Sequence, residues 1–164
     1  MTTETSATKR QPKVLAVASG GGHFVQLRRM RAAWEGCRVA YVTTNPGYRA
    51  AVEADHGAPG FYVVPDANRW QKLRLLRQLL AILWIMLRER PDVVISTGAA
   101  PGYFALRAGR LFGARTVWVD SIANSEELSL SGRAAGKHAH LFLTQWEHLS
   151  QESGDGPKFR GAVL

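Results

Sequence analysis

Six short, near-continuous apolar runs, separated by longer stretches of helical periodicity, constrain this chain more than any other feature. They are Lys13 to Ala18 (KVLAVA), Arg38 to Thr43 (RVAYVT), Phe61 to Val64, Asp92 to Ser96 (DVVIS), Arg115 to Asp120 (RTVWVD) and Ala139 to Thr144 (AHLFLT). Runs that do not alternate apolar with polar read as strands buried on both faces. Helical patterns fall between them, over 23–34, 48–56, 69–90, 101–112 and 125–137. Alternating β and α of this kind predicts an α/β fold, a Rossmann-like parallel sheet with helices on both faces. Ligands of such sheets sit at the carboxyl ends of the strands, in the loops that lead into helices.

The length of 164 residues fits a single domain and is too short for two nucleotide-binding folds. We expect a disordered tail over 1–12, which carries no apolar run, and one domain over 13–164. No segment reaches the roughly 20 apolar residues of a membrane-spanning helix, so any membrane contact is expected to be peripheral. The lone cysteine, Cys37, excludes an internal disulfide and reads as a small buried hydrophobe. A formal net charge of +8 points to anionic partners: acidic lipid headgroups, phosphorylated ligands or nucleic acid.

The loop after the first strand is Ser19-Gly20-Gly21-Gly22-His23. Three glycines let the backbone turn sharply and approach a ligand, and the helix start behind them offers N–H groups to an anion. A dinucleotide fingerprint would need a third glycine where Val25 stands, and the second strand ends in Thr43-Thr44 with no acid for a ribose. No Gly-Lys-Ser/Thr triplet exists, so a P-loop is also disfavoured. His23, as a neutral imidazole beside an anion cradle, is a candidate general base. His56, His138, His140 and His148 show no ligand spacing, and no metal site is expected.

Thr97-Gly98-Ala99-Ala100-Pro101-Gly102 follows the fourth strand and offers a second helix start tolerant of anions. Asp120 to Glu127 follows the fifth. There Asn124 or Ser125 reads as a helix cap with Glu126 and Glu127 in the first turn; alternatively Asp120, Asn124 or Glu126 meets a polar ligand such as a sugar.

The segment Trp70 to Arg90 (WQKLRLLRQLLAILWIMLRER) is the other distinctive feature. Its apolar residues fill an arc of about 200°, with Arg74, Arg77, Gln78 and Arg88 opposite. Six cations stand against one acid between Arg69 and Arg90. We expect a membrane-surface contact through Lys72, Arg74, Arg77, Leu79, Leu80, Leu83 and Trp84. Nucleic acid is not expected, because the aromatics do not interleave with the cations and no nucleic-acid motif occurs.

In this order, SGGGHFVQL, TTNPG, PDVVISTGAAPG and VWVDSIANSEELSLSGR resemble the acceptor-side, membrane-associating subunit of bipartite GT-B glycosyltransferases. One branch is the anchoring subunit of the N-acetylglucosaminyltransferase acting on dolichol-linked diphosphate-GlcNAc. Another is the PssD-type glucuronosyltransferase subunit of exopolysaccharide synthesis. Both are similar to the N-terminal half of MurG-like enzymes, and the resemblance runs from Lys13 to Leu164. It implies a GT-B N-terminal half that binds a polyprenyl- or dolichol-diphosphate-linked acceptor. A partner subunit, the GT-B C-terminal half, would carry the UDP-sugar, and no cofactor is implied for this chain. By position, Ser19, Gly20, Gly21 and Gly22 match the first glycine-rich loop, near the acceptor diphosphate, and His23 its histidine, the candidate base. Thr97, Gly98 and Gly102 match the second such loop, and Asn124 and Glu126 a polar stretch facing the cleft. The eukaryotic branch carries an N-terminal transmembrane helix that is not seen here. The expected location is therefore peripheral, on the cytoplasmic face of a bacterial inner membrane, with 69–90 as the contact.

The resulting expectation is an inverting glycosyltransferase subunit, incomplete without its partner, acting in polysaccharide or lipid-linked oligosaccharide synthesis. Its rivals are a non-catalytic scaffold that recruits the partner to the membrane, and a complete small Rossmann-like enzyme.

Overall fold

The computed structural model describes residues 10–151 and 153–163. Seven strands form one sheet, β1 (Lys13–Ala18), β2 (Arg38–Thr43), β3 (Gly60–Val63), β4 (Val93–Gly98), β5 (Arg115–Val119), β6 (Leu141–Thr144) and β7 (Lys158–Phe159). Their order is β3-β2-β1-β4-β5-β6-β7, and every pairing is parallel. The helices are α1 (Gly22–Arg29), α2 (Arg49–Glu53), α3 (Lys72–Glu89), α4 (Ala99–Leu111) and α5 (Leu130–Gly136), with short 3₁₀ turns at Arg31–Trp34, Pro46–Tyr48 and Glu147–Leu149. This is the Rossmann-like architecture that the apolar runs predict.

The strands carry two cores, one on each face. Leu15, Val17, Val42 and Val94 point to the layer of α3, α4 and α5, where they meet Ile82, Met86, Leu106 and Trp118. Val14, Ala16, Tyr41 and Ile95 point to the opposite layer and meet Phe24, Leu27, Trp34 and Val52. Alternate residues of one strand thus feed two apolar layers, which is why the sequence shows runs rather than alternation. Cys37 is half-buried at the edge of the second layer.

The chain reverses its direction of travel across the sheet between β1 and β4, and the loops after these two strands flank that switch point. There the ladder slips: Val17 pairs with Ser96 and Ala18 with Gly98. Thr97 is the extra residue of this bulge and stands outside the register.

Four sequence expectations change. The tail was expected to run to Pro12; residues 1–9 lie outside the described residues. Arg10 Nη2, however, donates to Asp92 Oδ1 at 2.5 Å, and Pro12 O accepts from Arg38 N at 2.9 Å. The last helix begins at Leu130, not at 125, capped by Ser129 Oγ, which accepts from Gly132 N at 2.8 Å. Glu126 and Glu127 therefore precede the helix instead of forming its first turn. Helix α4 begins at Ala99, directly on β4, so 97–102 is not a free loop.

The fourth change concerns α3. Gln78, expected outward, is fully buried; its Nε2 donates to Pro65 O at 2.7 Å, while its Oε1 has no partner among the described residues. Burying Gln78, Ile82, Ile85 and Met86 turns the opposite side of the helix to solvent. At its carboxyl end, Glu89 is tied to Lys13 Nζ (2.6 Å) and to the Tyr62 hydroxyl.

Candidate functional site

The site is built where β1 and β4 end. Gly21 adopts φ +71°, which L side chains rarely take. Gly20 lies so close to Asn45 that a Cβ would sit 3.0 Å from Asn45 Cβ, whereas Gly22 faces open space. The amides of this loop are partly committed. Gly20 N donates to Thr44 Oγ1 at 3.0 Å, and Gly21 N to the Tyr48 hydroxyl at 3.1 Å. At the start of α1, Phe24 N and Val25 N already donate to Gly21 O (both 3.1 Å), and ahead of α4 Gly98 N donates to Ser96 Oγ (3.1 Å). Helix geometry leaves the other first-turn N–H groups without intrahelical acceptors.

His23 opens α1 and reaches across to the bulge in β4. Its Nδ1 lies 3.0 Å from Thr97 O, and Thr97 Oγ1 donates back to His23 O at 2.6 Å. A carbonyl only accepts, so we assign the ring hydrogen to Nδ1, which leaves the Nε2 lone pair uncommitted. Gly98 makes room for the ring: a Cβ there would sit 2.4 Å from His23 Nδ1. Ala99, next in the chain, is held at φ +66°. Backbone in such sparsely populated regions persists only where surrounding contacts enforce it.

On the β2–β3 side of the Ser19–Gly21 turn lies a cavity of about 400 Å³. The Ser19–Gly21 turn forms one wall, Thr44–Pro46 a second, and Asp66 lines its open rim. Asn45 Oδ1 accepts from Gly47 N at 2.9 Å and so caps the 3₁₀ turn that follows.

The loop after β5 is organised from inside. Asp120 is only 2% exposed. Its carboxylate accepts from Trp118 Nε1 (3.1 Å), Ser129 N (2.9 Å) and Ser129 Oγ (2.6 Å), and lies 3.5 Å from Asn124 Nδ2. It faces the interior and holds the loop, which corrects the alternative that it meets a ligand. Gln26 and Gln145 both direct their Nε2 to Asp120 O, at 3.5 and 2.9 Å. Glu126 is exposed, and Glu127 pairs with Arg133.

On the outer side of α3, Leu73, Leu76, Leu80, Trp84 and Leu87 recur at intervals of three and four and are all at least half exposed. Lys72, Arg74 and Arg77 are exposed beside them, and the Arg88 guanidinium lies 5.5 Å from the Trp84 ring centroid. Leu79 and Leu83 are half-buried, and Leu83 packs partly on the core. Helices α3 and α4 pack side by side and run in the same direction, and Leu111 and Phe112 at the end of α4 are also exposed. Among the described residues no helix is long and apolar enough to cross a membrane.

The structure thus brings His23, Thr97 and Gly98 into direct contact and sets Ser19, Gly20 and Gly21 around a cavity. Gly102 lies within the buried side of α4, where a Cβ would overlap Ser96 Oγ; close packing of α4 on β4 accounts for it. Asn124 and Glu126 stand on the loop beyond β5, tied to it through Asp120 in the case of Asn124 alone. Sequence reasoning missed Gln26, Thr44, Asn45 and Asp66. Asn45 carried a signal, as an Asn-Pro-Gly turn at a strand end.

A family model described as "Oligosaccharide biosynthesis protein Alg14 like" matches residues 71–163. The UDP-N-acetylglucosamine transferase subunit ALG14 of Eremothecium gossypii is 28% identical over 166 residues, covering 84% of this chain and 74% of that protein. The UDP-N-acetylglucosamine--N-acetylmuramyl-(pentapeptide) pyrophosphoryl-undecaprenol N-acetylglucosamine transferase of Paraburkholderia phymatum is 30% identical over 117 residues. That match covers 63% of this chain and only 30% of the Paraburkholderia protein. Among solved structures, Acinetobacter baumannii MurG superposes with a TM-score of 0.69 at 15% identity, over 93% of this chain and 46% of that one. At such identity the likeness concerns the fold, and it is to about half of a GT-B molecule.

Proposed function

This chain belongs to the family of Alg14-like oligosaccharide biosynthesis proteins, and on that footing we propose that it is the acceptor-side subunit of a two-component glycosyltransferase. In this reading it binds a sugar linked through diphosphate to a polyprenyl or dolichol carrier. A partner with the other GT-B half brings the UDP-sugar. The PssD-type exopolysaccharide assignment and a bacterial inner membrane remain part of the same proposal; likeness to the Paraburkholderia enzyme, which acts on a pyrophosphoryl-undecaprenol substrate, supports only the polyprenyl-diphosphate carrier.

The observation that carries the reading is the clamp on His23. Thr97 O fixes Nδ1 as the donor, so Nε2 keeps its lone pair and can serve as a base beside the switch point. As the acceptor hydroxyl oxygen bonds to the anomeric carbon, its proton passes to Nε2 and the anomeric carbon–oxygen bond to UDP breaks. The acceptor diphosphate is assigned to the N–H groups at the starts of α1 and α4. The apolar stripe of α3, flanked by cations, lies on an anionic membrane surface.

Chain and partner together should turn over UDP-sugar onto lipid-linked acceptor. His23→Ala should reduce turnover by about 100- to 10,000-fold. Full activity of the variant mixture refutes the base assignment. The α3 stripe also favours a second reading, a recruiting scaffold with no group in the chemistry. That reading wins if the partner alone is active on detergent-solubilised acceptor.

A further inference from the structure

Three facts about the cavity at the Ser19–Gly21 turn set its chemistry. First, the Gly20 and Gly21 amides, which a glycine loop would present to a phosphate, are already donated to Thr44 Oγ1 and Tyr48 OH. Second, no lysine or arginine lines it. Third, Asp66 lines its open rim with a carboxylate that has no hydrogen bond or ion pair among the described residues. An uncompensated carboxylate disfavours a diphosphate through like-charge repulsion.

The same groups suit hydroxyls. A carboxylate offers acceptor lone pairs to two neighbouring O–H groups. Asn45 spends its Oδ1 on Gly47 N, which leaves its Nδ2 as a donor next to the Gly20 turn. The Ser19 hydroxyl can both donate and accept. A volume of about 400 Å³ is within the range of small-ligand pockets. We infer that this cavity is a subsite for an uncharged sugar ring, with Asp66 as its specificity-determining acceptor of hydroxyl hydrogen bonds. The glycine turn is then the wall of a sugar pocket and not an anion cradle. This rests on the glycosyltransferase reading only for the source of the ring, which is either the acceptor's sugar or the donor's.

The test uses the full chain, followed by amide NMR, titrated separately with methyl glycosides of glucose and N-acetylglucosamine and with inorganic pyrophosphate. A glycoside should shift the amides of Gly20, Gly21, Asn45 and Asp66, and Asp66→Asn should weaken that binding by about 10-fold. Asp66 is exposed and unpaired, so the variant keeps its fold, and unaltered shifts elsewhere verify this. Pyrophosphate shifting the Asn45 and Asp66 amides, or no glycoside shifting the four, overturns the inference. In the assembled enzyme, Asp66→Asn should raise KM about 10-fold for one substrate with kcat little changed; the acceptor or the donor so affected identifies the source. Unchanged KM for both overturns it. Failure here leaves His23→Ala free to abolish activity, and an active partner without this chain leaves the glycoside shifts in place, so the two ideas fall separately.

Discussion

Replacing Gly98 with alanine strikes the contact that orients the candidate base. Gly98 adopts φ +149° and ψ 175°, a region only glycine occupies with ease. Holding alanine there costs about 1–3 kcal/mol. The new Cβ would also sit 2.4 Å from His23 Nδ1, 2.5 Å from Cε1 and 3.1 Å from Cγ. Because Cγ is included, turning the ring about its own axis does not relieve the clash. The imidazole must leave, and its bond to Thr97 O goes with it, a further loss of about 0.5–1.5 kcal/mol. The sum is about 1.5–4.5 kcal/mol, or roughly 3–18 °C in Tm for a domain of this size. Turnover with the partner should fall by about 100-fold or more, since a displaced base cannot reach its proton. Thermal unfolding of Gly98→Ala, His23→Ala and the double variant separates the parts. With His23 already alanine, only backbone strain remains, so the cost of Gly98→Ala should shrink by about 1 kcal/mol. An equal cost in both backgrounds, within about 0.5 kcal/mol, refutes the clash as the cause.

Other outcomes follow from the surface and from titration. Leu80→Glu with Trp84→Glu should weaken binding to phosphatidylglycerol vesicles by at least about 10-fold, because each exposed apolar side chain contributes about 1.5–3 kcal/mol when buried. Cosedimentation checks this, and unchanged binding removes the membrane from the proposal. His138 and His140 titrate below the ordinary histidine range, mainly through burial; Arg107, Arg110 and Lys137 add to the effect on His138, and Arg110 and Arg115 to that on His140. A folded value below the unfolded one means that the unfolded chain takes up more protons as pH falls. Their contribution to stability is therefore complete above the ordinary histidine value of 6.5 and declines below it. His138→Asn with His140→Asn should flatten the pH dependence of urea unfolding on the acid side of 6.5, and an unaltered slope refutes it.

The strands were legible because burial on both faces leaves an apolar run that nothing else in a soluble domain needs. The limits of β1 and β2 are those of the runs themselves. The two-residue β7 carries no such run and exists through its pairing with β6. In α3 an arc of about 200° could not reveal which half faces the sheet. The choice is made by Pro65 O, which takes Gln78 inward, and by Lys13 and Tyr62, which take Glu89. The start of α5 was misplaced for a similar reason. Asp120 draws both the amide and the hydroxyl of Ser129 to itself and so delays the helix. His23 and the glycines were visible as a loop after a strand. Asp66 was not, because only the strand order β3-β2-β1 brings it beside Ser19.

The course of α3 has a consequence for where the chemistry happens. This helix runs back along the sheet, opposite to the strands it connects, and its apolar stripe faces away from them. Laid on a bilayer by that stripe, the molecule rests like a raft, with its strands in the membrane plane and the sheet roughly 10–12 Å above the surface, one helix diameter. The crevice between β1 and β4 then opens sideways, over the lipid headgroups, instead of up into solvent. On the proposed reading, a lipid-linked acceptor confined to the leaflet would meet it by diffusing in two dimensions with no need to lift its chain out of the bilayer, while a soluble nucleotide sugar would arrive from the free side.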